Sequence, residues 1–166
     1  MLSSFVKKLL FASEFMLQDG RNEMLGERQA LIPSKLLTQL QDISPKKAYE
    51  ISKRIMKEET DVVTQKIGES KAEMITAMKD FFETLGLGNL EIVDLDLIKK
   101  RAIFRIHDSP IAVAHIYYKK KENCSITAGV IAGMMSSIFD TDADAIEKEC
   151  MVNGSAYCEF VIKTEE

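Results

Sequence analysis

The chain contains three cysteines, and two of them flank Asn153-Gly154 in the stretch ECMVNGSAYCEF, at Cys150 and Cys158. The third, Cys124, opens the segment CSITAGVIAGMMSSIF. Thiols so placed can be metal ligands, a disulfide, a reactive pair or small core residues. The turn between Cys150 and Cys158 decides among these. A two-residue turn at Asn153-Gly154 sets Cys150 against Tyr157 and Cys158 against Glu149, with the sulfurs on opposite faces. A three-residue loop, Asn153 to Ser155, sets Cys150 against Cys158 with Cβ atoms about 5 Å apart. That separation suits two thiolates on one ion and also a disulfide. A slip of one residue therefore separates chemistry from packing.

Cys124 stands where a helix is expected to begin, from about Asn123 to Phe139, and a helix N-terminus favours a thiolate. That helix carries Gly129 and Gly133 with Ala128 and Ala132 beside them, a stripe that allows close approach to a sheet or another helix. Ile126, Val130, Met134 and Ile138 recur every four residues as its apolar face.

The elements that must position these residues follow from periodicity and breakers. Asp19-Gly20-Arg21-Asn22 is a turn, and Glu23 to Ile32 reads as a strand with a bulge at Gly26, giving an N-terminal hairpin. Lys35 to Gln41 is a short helix with Leu36, Leu37 and Leu40 on one face. Ser44-Pro45 starts a helix that runs to Gly68, since Ser can cap and Pro suits the first helical position. Ser70 to Leu85 is the next, stopped by Gly86 and Gly88, with Met74, Ile75, Met78, Phe81, Phe82 and Leu85 as its stripe. Three strands are expected at Leu90–Leu97, Arg101–His107 and Ile111–Tyr118, the last two joined by a turn at Asp108-Ser109-Pro110. A final pair covers about Ala143 to Val152 and Ala156 to Lys163. Short links favour antiparallel pairing, hence an α+β domain of two layers, with helices on a mostly antiparallel sheet. No repeat or linker divides it, so residues 1–166 read as a single domain. Its N-terminal hairpin and helices fill residues 1–88, and its chemistry-bearing segment lies at 123–163.

An apolar content of 46% builds a core without disulfides, and a net charge of −4 argues against nucleic acid as a partner. No apolar run reaches the roughly 18 residues of a membrane span. The opening MLSSFVKKLLFASEF lacks the pattern of a signal peptide, so a cytoplasmic location is expected. An odd cysteine count in a reducing compartment points to metal or thiol chemistry. Tyr117-Tyr118 before Lys119-Lys120-Lys121 reads as a strand end with a solvated charge run. Asp94 and Asp96 share a solvent-facing strand side, and Gly86-Leu87-Gly88 makes no dinucleotide fingerprint. Nine methionines, including Met56, Met74, Met78, Met134 and Met135, pack the core or line an adaptable pocket.

The spacing C-x4-G in CSITAG, the following helix, E-x-x-C-x7-C in EKECMVNGSAYC and the closing Glu159-Phe160, with Gly154 in the turn, resemble the C-terminal signature of the vinyl-4-reductase (4VR) domain family. ERQALIPSKLL after a hairpin resembles short stand-alone archaeal members. The resemblance is specific in the C-terminal signature and loose before about residue 90. It implies a fold related to subunits of the TRAPP vesicle-tethering complex. It also implies kinship with sensors of small hydrophobic or aromatic molecules in bacterial transcription activators. Another member assists bacteriochlorophyll synthesis, which gave the family its name without establishing a reductase reaction. In the sensor members, cysteines and a glutamate hold zinc; carried over, the ligands here are Cys124, Glu147, Cys150 and Cys158. In a regular strand Glu147 faces away from Cys150, as does Glu149, because both steps are odd; a bulge near Lys148 or a distorted strand end must re-aim Glu147. His107 and His115 are the possible substitutes.

Three thiolates and a carboxylate fill a tetrahedral zinc site, which then reads as structural. The expectation is a zinc-containing, non-catalytic binding or sensor domain for a small hydrophobic or aromatic ligand, homodimeric and acting through a partner protein. The alternatives are a protein–protein assembly module like the TRAPP subunits and an enzyme of tetrapyrrole vinyl reduction. The last is disfavoured by the lack of nicotinamide, flavin or phosphate-binding motifs.

Overall fold

A computed structural model of the chain describes residues 7, 15–19, 21–24, 26–67, 70–118 and 123–164. The stretch before residue 15, Gly20, the helix stop expected at Gly68 and the Lys119–Lys121 run lie outside the described residues.

Three short antiparallel strands come first: β1 (Phe15–Gln18), β2 (Arg21–Met24) and β3 (Glu27–Gln29). The expected hairpin joins β1 to β2, and the chain expected as one bulged strand turns at Gly26, φ 89°, into two. Three helices follow, α1 (Ser34–Ile43), α2 (Pro45–Ile67) and α3 (Lys71–Leu85). A capping box fixes the start of α3: the Ser70 hydroxyl accepts from the Glu73 N–H, and the Glu73 carboxylate accepts from the Ser70 N–H. Gly86 ends it with φ 68°.

The main sheet is antiparallel in the order β4-β5-β7-β6, with β4 at Asn89–Asp96, β5 at Arg101–His107, β6 at Ala143–Glu149 and β7 at Cys158–Thr164. Two helices lie between β5 and β6 in the chain, α4 (Pro110–Tyr117) and α5 (Ser125–Phe139). A short 3-10 turn, Met151–Asn153, precedes β7. The fold is thus the expected mixture of helices packed on an antiparallel sheet.

Residues 110–117 are a helix, where alternation and β-branching predict a strand from Ile111 to Tyr118. The Ser109 hydroxyl accepts the Ala112 N–H at 3.3 Å, and Pro110 occupies the first helical position, so the sequence read as a turn is a cap. Helix α4 buries Ile111, Ala112, Ala114 and His115. In α1 the leucine stripe is not the buried face: Leu36 and Leu40 are 48% and 53% exposed, while Thr38 and Gln41 are buried.

Helix α5 contacts α2 on one side and β6 and β7 on the other, which explains its apolar circumference and its twelve buried residues. The small-residue stripe meets α2. A Cβ on Gly129 would collide with the Tyr49 carbonyl oxygen, and one on Gly133 with the Lys53 carbonyl oxygen and the Lys57 nitrogen at 2.9 Å. Phe82, Phe104, Phe139 and Phe160 fill the core between helices and sheet. The Tyr49 hydroxyl covers the β6 edge by accepting the Ala145 N–H at 3.1 Å and donating to Asp144 Oδ1 at 2.7 Å.

Candidate functional site

Cys124 is the residue before α5, held there by its neighbours. Gln41, buried on α1, donates from Nε2 to the Asn123 carbonyl at 2.7 Å and accepts the Ile126 N–H on Oε1 at 2.9 Å. One amide thus straps both sides of Cys124. Sequence reasoning missed Gln41, because a lone glutamine among leucines carries no periodic signal.

Glu147 is brought in from β6 by a bulge. Glu147 pairs with Phe160 and Glu149 with Glu159, so Lys148 is the extra residue. This is the distortion the spacing required, and it turns Glu147 to the cysteine side. Its Oε2 accepts the Cys124 backbone N–H at 2.9 Å. The chain between Cys150 and Cys158 makes neither simple turn. The Cys150 carbonyl accepts from Asn153 N–H at 2.9 Å, and Gly154 takes φ 91°, so the intervening residues fold as a compact loop.

The result is a triangle of sulfur: Sγ–Sγ distances are 3.6 Å for Cys150–Cys158, 3.8 Å for Cys124–Cys150 and 3.9 Å for Cys124–Cys158. A disulfide needs about 2.05 Å, and all three cysteines are free. Zinc–sulfur bonds of about 2.3 Å in a tetrahedron place sulfurs about 3.8 Å apart. Thiols in van der Waals contact show similar spacings, so the sulfurs alone do not decide. Glu147 adds the discriminating fact, since its Oε1 is buried without a hydrogen-bond partner. One ligand atom from each of Cys124, Glu147, Cys150 and Cys158 lies within 4.8 Å of the others, close enough to hold a metal ion.

The electrostatics agree with a missing positive charge. Burial raises the Glu147 carboxyl to about 8, against the pull of the Cys124 N–H. Cys124 is raised by donating to Cys150 and Cys158, and by burial. Cys150 accepts from Cys124, which works the other way, yet its donation to Cys158 and its burial leave it raised. Cys158 accepts from both thiols and falls to about 4. The cluster by itself thus favours one thiolate and a neutral acid. A bound cation favours four anionic ligands.

The other sequence candidates lie elsewhere. His107 on β5 meets Glu91 at 2.9 Å, and His115 is buried on α4 against Asp42 at 3.0 Å. Asp94 lies 3.9 Å from Arg101, and Asp96 accepts the N–H groups of Ile98 and Lys99. Tyr117 ends a helix rather than a strand and carries the Lys35 ammonium 4.0 Å above its ring.

A second feature is an apolar cavity of about 160 Å³ between α2, α3, α5 and the first sheet. Met24, Met56, Met74, Met78, Met134 and Phe81 make most of its wall, and Gln29, Glu59 and Thr60 supply its polar groups. The Thr60 hydroxyl donates to the Met56 carbonyl at 2.6 Å, leaving its lone pairs able to accept.

The family model for the vinyl-4-reductase (4VR) domain matches residues 102–164, which include all four clustered residues. An uncharacterized protein of Methanocaldococcus jannaschii is 25% identical over 89 residues, covering 54% of this chain and 51% of its own length. The alignment therefore spans about half of that curated relative. Among solved structures, the phenol-responsive sensory domain of the transcription activator PoxR, with phenol, matches with a TM-score of 0.74 at 17% identity, covering 98% of this chain and 91% of that one. A vinyl-4-reductase family protein from Methanocaldococcus jannaschii gives 0.58 at 21% identity, covering 83% and 85%. A trafficking protein particle complex subunit 3 from Naegleria fowleri, covalently bound to palmitic acid, gives 0.50 at 14% identity, covering 80% and 95%. At these identities the likeness is one of fold. Through residues 102–164, the chain belongs to the vinyl-4-reductase domain family.

Proposed function

We propose that the chain is a single-domain, non-catalytic receptor for a small neutral aromatic or hydrophobic molecule, stabilised by a structural metal. The Met-lined cavity is the observation that carries this reading. Its volume of about 160 Å³ is close to the ~150 Å³ of an engineered apolar cavity that binds benzene. A single ring is the scale of occupant it suits; the long acyl chain named for the trafficking subunit would overfill it. Methionine side chains adapt to irregular shapes. Thr60 can accept a hydroxyl hydrogen, and the Glu59 carboxylate disfavours anionic ligands. A phenol-like molecule, as named for the PoxR domain, meets these conditions.

In the same reading Cys124, Glu147, Cys150 and Cys158 hold zinc, for which three thiolates and a carboxylate are a suitable set. A site filled by four protein ligands leaves no position for a reactive water, so its work is to tie the start of α5 to the terminal hairpin. No helix among the described residues is long and apolar enough to cross a membrane. Three free cysteines suit a reducing, cytoplasmic setting. The receptor is read as a homodimer that passes its signal to a partner protein.

The test is thermal stabilisation by a panel of neutral single-ring compounds, long-chain fatty acids and benzoates. A rise in Tm with phenols and alkylbenzenes supports the proposal; no shift across the panel sinks it. An assembly role is favoured by one observation: Leu36, Leu40 and Ile43 on α1 and Val113 and Ile116 on α4 are exposed. That role requires no cavity occupant, so the same panel separates the two.

A further inference from the structure

Of the four clustered residues only Glu147 reaches the surface. Cys124, Cys150 and Cys158 are buried, whereas Glu147 is half-buried. A hollow of about 360 Å³ lies beside it, between the first turns of α2 and α5 and strand β6. Lys46, Tyr49, Asn123, Ser125 and Glu147 line this hollow; Cys124 borders it, but Cys150 and Cys158 do not. A water takes about 30 Å³ of liquid volume, so the hollow can hold a hydrated path.

The ligands differ in how they could let go. Each cysteine would have to move its sulfur through packed core. Glu147 need only rotate its carboxylate toward the hollow, giving up the one hydrogen bond from Cys124 N–H. A carboxylate is also the harder, more weakly held ligand of a thiophilic ion.

We propose that Glu147 is the gate of the cluster: a metal ion enters and leaves through the hollow beside Asn123 and Ser125, and the Glu147 carboxylate is the first group to release it. The gate rests on the reading of the cluster as a metal site. Exchange involves no change of oxidation state. The bond given up at Glu147 is replaced by one to water and then to an acceptor, a small chelator or thiol compact enough to enter the hollow. The seat so described answers to the free metal concentration instead of locking its ion in permanently.

The experiment uses the full chain loaded with zinc and mixed with a small chromogenic chelator in a stopped-flow instrument. Cobalt absorption reports in parallel on how many sulfurs bind. Glu147→Ala is expected to release zinc about 10–100-fold faster, the scale seen when a group supporting a metal is lost. Ser125→Trp, which fills the hollow, is expected to slow release several-fold while leaving the three-sulfur cobalt spectrum unchanged. Lys46→Trp plugs the hollow from its exposed wall and replaces Ser125→Trp should that variant fail to fold. Wild-type release rates from a folded, plugged variant, or from Glu147→Ala, overturn the gate while leaving the metal site standing. A wild-type chain that takes up neither zinc nor cobalt overturns the metal site and the gate together.

Discussion

The backbone N–H of Cys124 donates to Glu147 Oε2 at 2.9 Å, so a strand side chain satisfies a donor at the start of α5 while facing three sulfurs. Glu147→Gln keeps an acceptor for that N–H but removes the charge. The folded state is expected to persist, with zinc affinity lowered about 10–100-fold. Cys150→Ser, which removes a thiolate outright, is expected to leave little metal after dialysis against a mild chelator. Elemental analysis and chelator competition on the purified variants check both.

Among the described residues, Thr60 is the only hydroxyl on the cavity wall. Thr60→Val preserves shape and removes the acceptor. The apparent affinity for phenol is expected to fall about tenfold, the equivalent of one hydrogen bond near 1.4 kcal/mol, with that for toluene unchanged. Calorimetric titration of both ligands reads the difference. Equal losses for the two would place the ligand elsewhere.

Gly133 approaches α2 so closely that an added methyl meets backbone, which cannot move aside as a side chain tip can. Gly133→Ala is expected to cost about 1–3 kcal/mol or more. At about 2–4 °C per kcal/mol for a chain of this size, a differential scan resolves the loss.

Asp144 carries the acid limb of stability. The Lys53 ammonium at 2.7 Å, with help from the Tyr49 hydroxyl and against some burial, holds its carboxyl below the ordinary range of 3.8. A depressed carboxyl stabilises the fold above its unfolded value, and that contribution is lost as pH falls through the folded one. Asp144 is about half exposed at its side chain, so solvent screening holds the contribution to about 0.5–1 kcal/mol. Asp144→Asn is expected to lower Tm at neutral pH and to leave the difference from wild type vanishing below about pH 3. Melting curves across that range test it.

Local signals were legible where they stood alone. Ser44-Pro45, Ser70 with Glu73, and Gly86 mark helix ends by chemistry that acts within one turn, and the structure keeps them. The glycines of α5 announce a close approach, though not its partner α2. Residues 111–117 defeat the same reading because IAVAHIY is apolar throughout, so period favours neither helix nor strand and the cap at Ser109 passes for a turn. The leucines of α1 mislead because tertiary contacts, here Gln41 on the segment around Cys124, decide which face is buried. The bulge at Lys148 was legible only as a requirement, from the odd step between Glu147 and Cys150. The Tyr49–Asp144–Lys53 bonds join residues some ninety positions apart and leave no mark on either segment.

Helix α5 begins beside Cys124 and carries Met134 in the cavity wall ten residues on, about 15 Å along one axis. Its glycines seat it flush on α2 over the intervening length. A rod pinned along its middle transmits tilt rather than slack, so crowding in the chamber and tension at the sulfur end bear on a single lever.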